Sequence, residues 1–326
     1  MSTPIAVTIS DIHFNLNTLS IASKALKSAL RRAEYLGVPL IIAGDLHDTK
    51  AIIRAEVMNE LIYIIRSART RIYILVGNHD LCNERGSVHG LEYLDPYVTI
   101  VDKTQCLMRG DLNWALIPYM HDKNELIQTI DELKPHTKLL IMHQGFMGAY
   151  MGDYMQDKTS ISVDAVKDFT VISGHYHRHQ TIGTVTYIGS PYTITFGEAN
   201  DGPKGFLILN EDGTFTREIL NLRKHLVINC DIKDIYESEI YKDYNRERGD
   251  LLWLKVNGPL SELQKLDKSA FPNIKLELIP TDSQELKAPT KEMTGEEIFD
   301  SIIDNLSDSV EHRSNLKRLY REITEG

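Results

Sequence analysis

The first half of the chain is a series of apolar runs, each cut off by polar residues. "IAVTIS" (5–10) is apolar and β-branched and stops at Asp11, "LIIAGD" (40–45) stops at Asp45, and "RIYILV" (71–76) stops just before Asn78. Short continuous apolar runs of this kind read as strands buried on both faces. Helical patterns lie between them, over about 17–36, closed by Gly37 and Pro39, and over 50–68. Strands alternating with helices predict a largely parallel sheet with both faces covered. Further short strands are predicted at about 98–101, 113–117, 138–142, 169–172, 184–188 and 205–209. With fewer helices between them, the second half is expected to be more antiparallel. The architecture predicted is α/β, two packed sheets flanked by helices.

Beyond about residue 222 the texture changes. "HLVINCDI", "DLLWLKVNG" and "IKLELIP" read as strands and "SELQKLDKSAF" as a helix, which makes a small α/β cap domain. The predicted division is 1–221, a cap at 222–280, a polar linker at 281–293 carrying Pro289, and a helical segment at 294–326. Thr294 and Glu297 form a capping box, followed by apolar positions Ile298, Ile302, Leu306, Val310, Leu316, Leu319 and Ile323. The helix at 51–68 is apolar around much of its circumference, more than one sheet-facing stripe requires. Burial on two sides within one copy of the chain is one way to cover it.

At 326 residues, 42% hydrophobic and 25% charged, the composition is that of a globular protein with ample core. No run of eighteen apolar residues occurs, and "MSTPIAVTIS" lacks a basic start before an apolar stretch, so neither a membrane span nor a signal peptide is expected. Cys82, Cys106 and Cys230 are scattered and odd in number, which points to a reducing compartment, the cytoplasm, and to no disulfide framework. The net charge of −10 argues against a generic nucleic-acid binder, though about half of the surplus lies in 281–326. Ten of the twelve histidines precede residue 180, so the first half uses imidazole.

The histidines gather at strand ends. "SDIHF" gives Asp11 and His13, "GDLHD" gives Asp45 and Asp48, and "GNHD" gives Asn78 and His79; "LLIMHQG" gives His143, and "TVISGHYH" gives His175 and His177. Ligands of open α/β sheets bind beyond the carboxyl ends of the strands, so all five clusters are expected at one rim. Oxygen and imidazole donors without thiolate suit Mn²⁺, Fe or Zn²⁺ better than a structural zinc site.

The series D-x-H, G-D-x-x-D, G-N-H-D, H and G-H-x-H resembles that of the calcineurin-like metallophosphoesterase superfamily. The resemblance implies a two-sheet αββα metallophosphoesterase sandwich around two divalent metal ions. It implies that Asp11, His13 and His177 hold one ion, that Asn78, His143 and His175 hold the other, and that Asp45 bridges them. His79 would face the scissile phosphate as general acid or transition-state stabiliser, oriented by Asp48, which alternatively caps the next helix; Asp80 would shape the turn. A hydroxide activated between the metals would attack phosphorus. His47 departs from the pattern, since relatives usually carry an apolar or aromatic residue there. It is read as a harmless polar substitution, a remote hydrogen bonder or an extra phosphate contact.

"IPYM" (117–120), "MHQG" (142–145) and "YIGSPYTITFGEANDGPKGFLIL" (187–209) resemble the SbcD-type nucleases, the bacterial and phage counterparts of the double-strand-break repair nuclease, and among them the phage recombination nuclease subunit. That likeness implies a manganese-dependent exonuclease on duplex DNA with single-strand endonuclease activity. It implies a partner, an SMC-like coiled-coil ATPase bound by the C-terminal helices, a homodimer formed through helix 51–68, and residence in the host cytoplasm if the chain is viral. Candidate phosphate contacts are Lys50, Arg54, Arg85, Lys158 and Arg178, each equally readable as solvated surface. Tyr150, Met151, Tyr154 and Met155 form a candidate wedge against a duplex end. Two rival readings remain: another calcineurin-like phosphatase or nucleotide phosphodiesterase, and an inactive scaffold subunit for the ATPase.

Overall fold

The apolar runs become strands, and they stop where the polar residues begin. The first four strands are β1 (Pro4–Ile9), β2 (Leu40–Ile42), β3 (Ile72–Leu75) and β4 (Thr99–Val101). Next come β5 (Gln105–Arg109), β6 (Leu112–Ile117), β7 (Leu139–His143), β8 (Thr170–Gly174), β9 (Gln180–Ile182) and β10 (Val185–Tyr187). The rest are β11 (Gly205–Asn210), β12 (Phe215–Ile219), β13 (His225–Asp231), β14 (Leu251–Gly258) and β15 (Lys275–Pro280). The helices are α1 (Leu19–Leu36), α2 (Ala55–Arg66), α3 (Lys123–Leu133) and a single turn, α4 (Leu260–Leu263). The structure, a computed structural model, describes residues 2–83, 88–109, 112–134, 136–153 and 155–282, with Ile303, Leu316 and Lys317 beyond them.

Two six-stranded sheets face each other. The first runs β12-β11-β1-β2-β3-β4, and the second β5-β6-β7-β8-β10-β9. Ile5, Ile41, Leu75, Trp114, Leu116, Leu139, Ile141 and Ile172 fill the space between them. The outer face of the first sheet is covered by α1 and α2. In α1 the buried stripe is mostly small, Ala22, Ala25, Ala29 and Ala33 with Leu26 and Leu30, so the helix sits close on the sheet. Gly37 ends α1 in the left-handed conformation (φ 65°), which only glycine adopts without cost. The outer face of the second sheet is covered by Leu126, Ile130 and Leu133 of α3 together with Phe146, Ile161, Val166 and Phe169. The arrangement is a mixed αββα sandwich.

The antiparallel pairs all involve strands after β4, as the sequence reading expected, but the second sheet is mostly parallel. Its central strands β6, β7, β8 and β10 are all parallel, and only the edges β5 and β9 are antiparallel. The crossover from β7 to β8 uses loop and a short 3₁₀ turn (Val163–Val166) rather than an α-helix, so the chain crosses over without a helical signature. The edge strands β5, β9 and β12 were not read from sequence because their side chains are half exposed.

β13, β14 and β15 form a separate three-stranded sheet, parallel throughout. The expected helix over "SELQKLDKSAF" is interrupted. Asp267 accepts a hydrogen bond from the Ser269 backbone and starts a new 3₁₀ turn (Lys268–Ala270), which ends the run begun by α4. The linker from 283 onward, the capping box at Thr294 and Glu297 and the C-terminal helix lie outside the described residues, apart from Ile303, which is buried, and Leu316 and Lys317. In α2, Val57, Leu61, Ile64 and Ile65 face the core and Met58 and Ile62 are half-buried. Tyr63 (68%) and Ile52 (71%) stand exposed.

The two sheets come into close contact at the carboxyl ends of β1, β2, β7 and β8. A Cβ at Gly174 would overlap Ser10 Oγ, the Ala43 carbonyl oxygen and His143 Nδ1. Gly174→Ala is therefore expected to lower stability by about 2 kcal/mol or more, through forced displacement in a close-packed region. A urea denaturation midpoint that falls with unchanged slope would register it.

Candidate metal centre

Every predicted ligand sits at or just past the carboxyl end of a strand: Asp11 and His13 after β1, Asp45 after β2, Asn78 after β3, His143 at the end of β7, and His175 and His177 after β8. Four of these residues lie in the left-handed region, Asp11 (φ 53°), His13 (φ 50°), Asp45 (φ 51°) and His175 (φ 95°). Among the described non-glycine residues only Ala51 and Asn273 share it. Such a conformation costs on the order of 1–3 kcal/mol and persists only where the surroundings impose it. Here the loops are laced together. Asp11 N donates to Gly44 O (3.1 Å), His13 N to Asp45 O (3.1 Å) and Phe14 N to Leu46 O (2.8 Å). His175 N donates to the Asp11 carboxylate at 3.1 Å.

The side chains converge in two groups. On one side His13 Nε2 and His177 Nε2 lie 3.1 Å apart, with the Asp11 carboxylate within reach of both. On the other, His143 Nε2 and His175 Nδ1 point at the same atom, Asn78 Oδ1, at 3.0 and 2.8 Å. Asp45 stands between the groups. Its Oδ1 is 3.3 Å from His143 Nε2 and its Oδ2 is 3.8 Å from His13 Nε2. All seven predicted ligands thus come together at one rim.

The donor set fits cations. His143 Nδ1 faces the Ala43 carbonyl at 2.7 Å and so must donate there, which leaves Nε2 pointing at two oxygen acceptors. That arrangement is satisfied by a proton or by a metal. Burial alone would lower the His143 pKa, but the Asp45 charge overcomes it and raises it to about 9. Conversely burial, then the His143 charge, lowers His175 to about 4, so its ring is neutral at neutral pH. Burial would raise Asp45, yet His143, His13 and His79 together hold it far below the usual carboxylate range. Oxygen and imidazole donors without sulfur match a site for hard or borderline divalent ions.

His79 borders the His13 group, ring centroids 4.8 Å apart and nearly perpendicular. Its backbone N–H donates to Asp45 Oδ1 at 2.8 Å. Asp48 does reach His79, but through its backbone carbonyl, 2.6 Å from Nδ1. The Asp48 carboxylate turns the other way, accepting from Asn15 Nδ2 (2.9 Å) and lying 3.3 Å from His13 Nδ1 without good hydrogen-bond geometry. The sequence reading had placed that carboxylate behind His79; in the fold the loop turns after Asp48, so carbonyl and carboxylate serve different histidines. Asp80 is buried and accepts from Gly77 N (3.0 Å) and His47 N (3.0 Å), which ties the loops after β2 and β3 together. His47 is also buried, its ring between Asp80 Oδ1 (3.2 Å) and the Tyr93 hydroxyl (3.0 Å), away from the rim.

Sequence reasoning missed three neighbours. Tyr119, inside the quoted "IPYM", stacks on His175 with ring centroids 5.9 Å apart. Glu198 and Lys204, both inside the quoted 187–209 stretch, are buried, and Glu198 Oε1 accepts from His177 Nδ1 at 3.0 Å. The signal was present as a carboxylate and a lysine within an otherwise glycine- and aromatic-rich segment, but sequence gives no means of seeing that they are buried. Of the candidate DNA contacts, Lys50 and Lys158 are exposed, and Arg54 is exposed and paired with Glu56 at 3.0 Å. Arg178 packs over Tyr150 and lies 3.9 Å from Asp153. Arg85 and Tyr154 lie outside the described residues. Met151 and Met155 are exposed, at 52% and 62%.

Residues 5–179 match the model of the calcineurin-like phosphoesterase family. The chain is 26% identical over 298 residues to exonuclease subunit 1 of Enterobacteria phage T4, and the match covers 86% of each chain. Among solved structures it is similar to an archaeal phosphodiesterase (TM-score 0.36, 14% identity), over 66% of this chain and 99% of that one. It is also similar to the nuclease MPE of Pseudomonas putida (TM-score 0.32, 12% identity), over 65% of this chain and 87% of that one.

The raised His143 pKa makes a directional prediction. Metal-free protein carries a proton on His143 at neutral pH, and its stabilisation is complete below the unfolded value of about 6.5 and lost as pH rises through about 9. A metal ion held by His143 would displace that proton. Titration calorimetry of Mn²⁺ into chelator-stripped protein is expected to show proton release at pH 7 and tighter binding up to about pH 9. In the same range the thermal midpoint of metal-free protein should fall.

Proposed function

The chain belongs to the calcineurin-like phosphoesterase family, and on that premise we propose that it is a Mn²⁺-dependent DNA exonuclease and single-strand endonuclease, the nuclease subunit of a recombination and repair complex with an SMC-like ATPase. The observation that carries the hydrolytic part is the splitting of Asp45, one oxygen toward each group of nitrogens. In this reading Asp11, His13 and His177 would hold one ion, Asn78, His143 and His175 would hold the second, and Asp45 would serve both. Two divalent ions so held supply Lewis-acid charge for the phosphodiester and make water a nucleophile at neutral pH.

The chain's own groups do the rest. With Nδ1–H of His79 committed to the Asp48 carbonyl, Nε2 remains to face the phosphate, and in the imidazolium form it carries the proton that can pass to the leaving oxygen. Tyr119 stacks beside His175 and lines a cleft of about 570 Å³ with Asp102, Met120 and His121. The exposed methionines of the loop after β7 offer an apolar edge to a duplex end.

The choice of nuclease over phosphatase is supported by the relative named as an exonuclease subunit, aligned over most of both chains. That name also supports a partner subunit. We assign 1–221 to catalysis, 222–280 to a cap that admits DNA, 281–293 to a linker and 294–326 to the partner ATPase. Exposed Tyr63 on α2 and Ile52 just before it suit a homodimer.

Linear duplex DNA incubated with Mn²⁺ is expected to be digested from its ends, with little turnover of a simple phosphomonoester. Rapid monoester hydrolysis with intact DNA would favour a phosphatase. His79→Ala should slow DNA hydrolysis about 10²–10⁴-fold while Mn²⁺ binding is retained. An unchanged rate would remove His79 from the chemistry.

A further inference from the structure

The segment 189–204, which follows β10, holds one side of the centre. Tyr192 OH donates to the carbonyl of Ile12, the residue between Asp11 and His13. Gly189 (φ 78°) lies so close to the next loop that a Cβ there would crowd the His177 carbonyl oxygen and His179 N at 2.8 Å. His177 is gripped at both ends. Its Nδ1 donates to Glu198 Oε1 (3.0 Å), and its backbone carbonyl accepts from Lys204 Nζ (2.9 Å) and Ser190 N (3.0 Å).

Glu198 is itself fully engaged. Its Oε2 accepts from Lys204 Nζ (2.8 Å), Ser190 Oγ (3.1 Å) and Ile194 N (3.3 Å), and Asp201 Oδ2 takes a further bond from Lys204 (2.7 Å). Glu198 and Lys204 are each 7% exposed. A buried ion pair is weak evidence of stabilisation, since desolvation cancels much of its attraction. It does impose a unique geometry, and this one is aimed at an imidazole whose other nitrogen, Nε2, lies 3.1 Å from His13 Nε2.

We propose that Glu198, balanced by Lys204 and Asp201, is a positioning residue: it fixes His177 as the Nδ1–H tautomer with Nε2 directed inward, and so governs one ion site without governing the other. The inference rests on the two-ion reading of the centre. A carboxylate behind an imidazole orients the ring and raises its basicity, and loss of such a partner typically costs 10–100-fold in metal affinity. Among the described residues the segment's hydrogen bonds toward the centre reach Ile12 and His177, not the second group.

The test uses the full chain and three variants. Glu198→Ala removes the acceptor. Glu198→Asp keeps the charge beside Lys204 but shortens the reach to His177. Glu198→Gln keeps an oxygen that accepts from Nδ1–H. Mn²⁺ binding is followed by calorimetry, ion pairing by the exchange-coupled two-manganese EPR signal, and the His177 tautomer in metal-free protein by ¹⁵N NMR.

In Glu198→Ala and Glu198→Asp one Mn²⁺ is expected to weaken about 10–100-fold while the other stays within about threefold. The coupled signal should give way to a single-ion spectrum at one equivalent, and the metal-free imidazole should become a tautomer mixture. Glu198→Gln should restore most of each. Should Glu198→Ala fail to fold, Glu198→Asp carries the same readings. The proposal is overturned if both ions bind as in wild type, or if both weaken equally alongside a lower thermal midpoint with the tautomer unchanged. Wild-type protein that binds no Mn²⁺ would instead overturn the two-ion reading beneath it.

Discussion

A carboxylate taken out of water must be compensated on the spot, and Asp45, 2% exposed at the end of β2, is where the molecule meets that demand. His143 and His13 face its two oxygens, and the backbone N–H of His79 donates to one of them. Each compensating group lies on a different strand end, so the position of β1, β3 and β7 relative to β2 is coupled to one side chain. The same geometry gathers imidazole nitrogens and carboxylate and amide oxygens at one place, the donor types that divalent ions take.

That condition explains the unusual backbone. Left-handed conformations at Asp11, His13, Asp45 and His175 are costly, yet they turn short loops back over the sheet edge and aim the side chains inward. Backbone hydrogen bonds between the loops after β1 and β2 hold the strain in place, and the glycines at 44 and 174 let the two sheets meet without a Cβ between them. Asp80 and His47, away from the rim, belong to the same bracing. Rigid support of this kind is what a reaction dependent on fixed charge requires.

The centre is supported asymmetrically. The second group is closed by the two sheets themselves, through Ala43 beneath His143 and Tyr119 beside His175. The first group is held in addition by a connecting segment, 189–204, that reaches Ile12 and His177 by hydrogen bonds. That segment leads directly toward β13: Thr193 Oγ1 accepts from His225 N at 2.8 Å. The linkage gives the three-stranded sheet a covalent and hydrogen-bonded path to one half of the centre.

Much of this was legible in the residues. Continuous apolar runs fixed β1, β2, β3 and β7 because strands buried on both faces have no polar positions to spare, and their polar stops named the rim. The identity of the donors, oxygen and imidazole without thiolate, was likewise plain in the chain itself. Edge strands β5, β9 and β12 were not, since a half-exposed strand has no distinctive composition, and neither was the parallel second sheet, whose β7–β8 crossover carries no α-helix. Only the folded structure decided that Asp48 meets His79 by its carbonyl and His13 by its carboxylate, and that Glu198 and Lys204 are buried behind His177. Those contacts join residues far apart in the chain, and which atoms meet depends on loop backbone angles that the side-chain pattern does not encode.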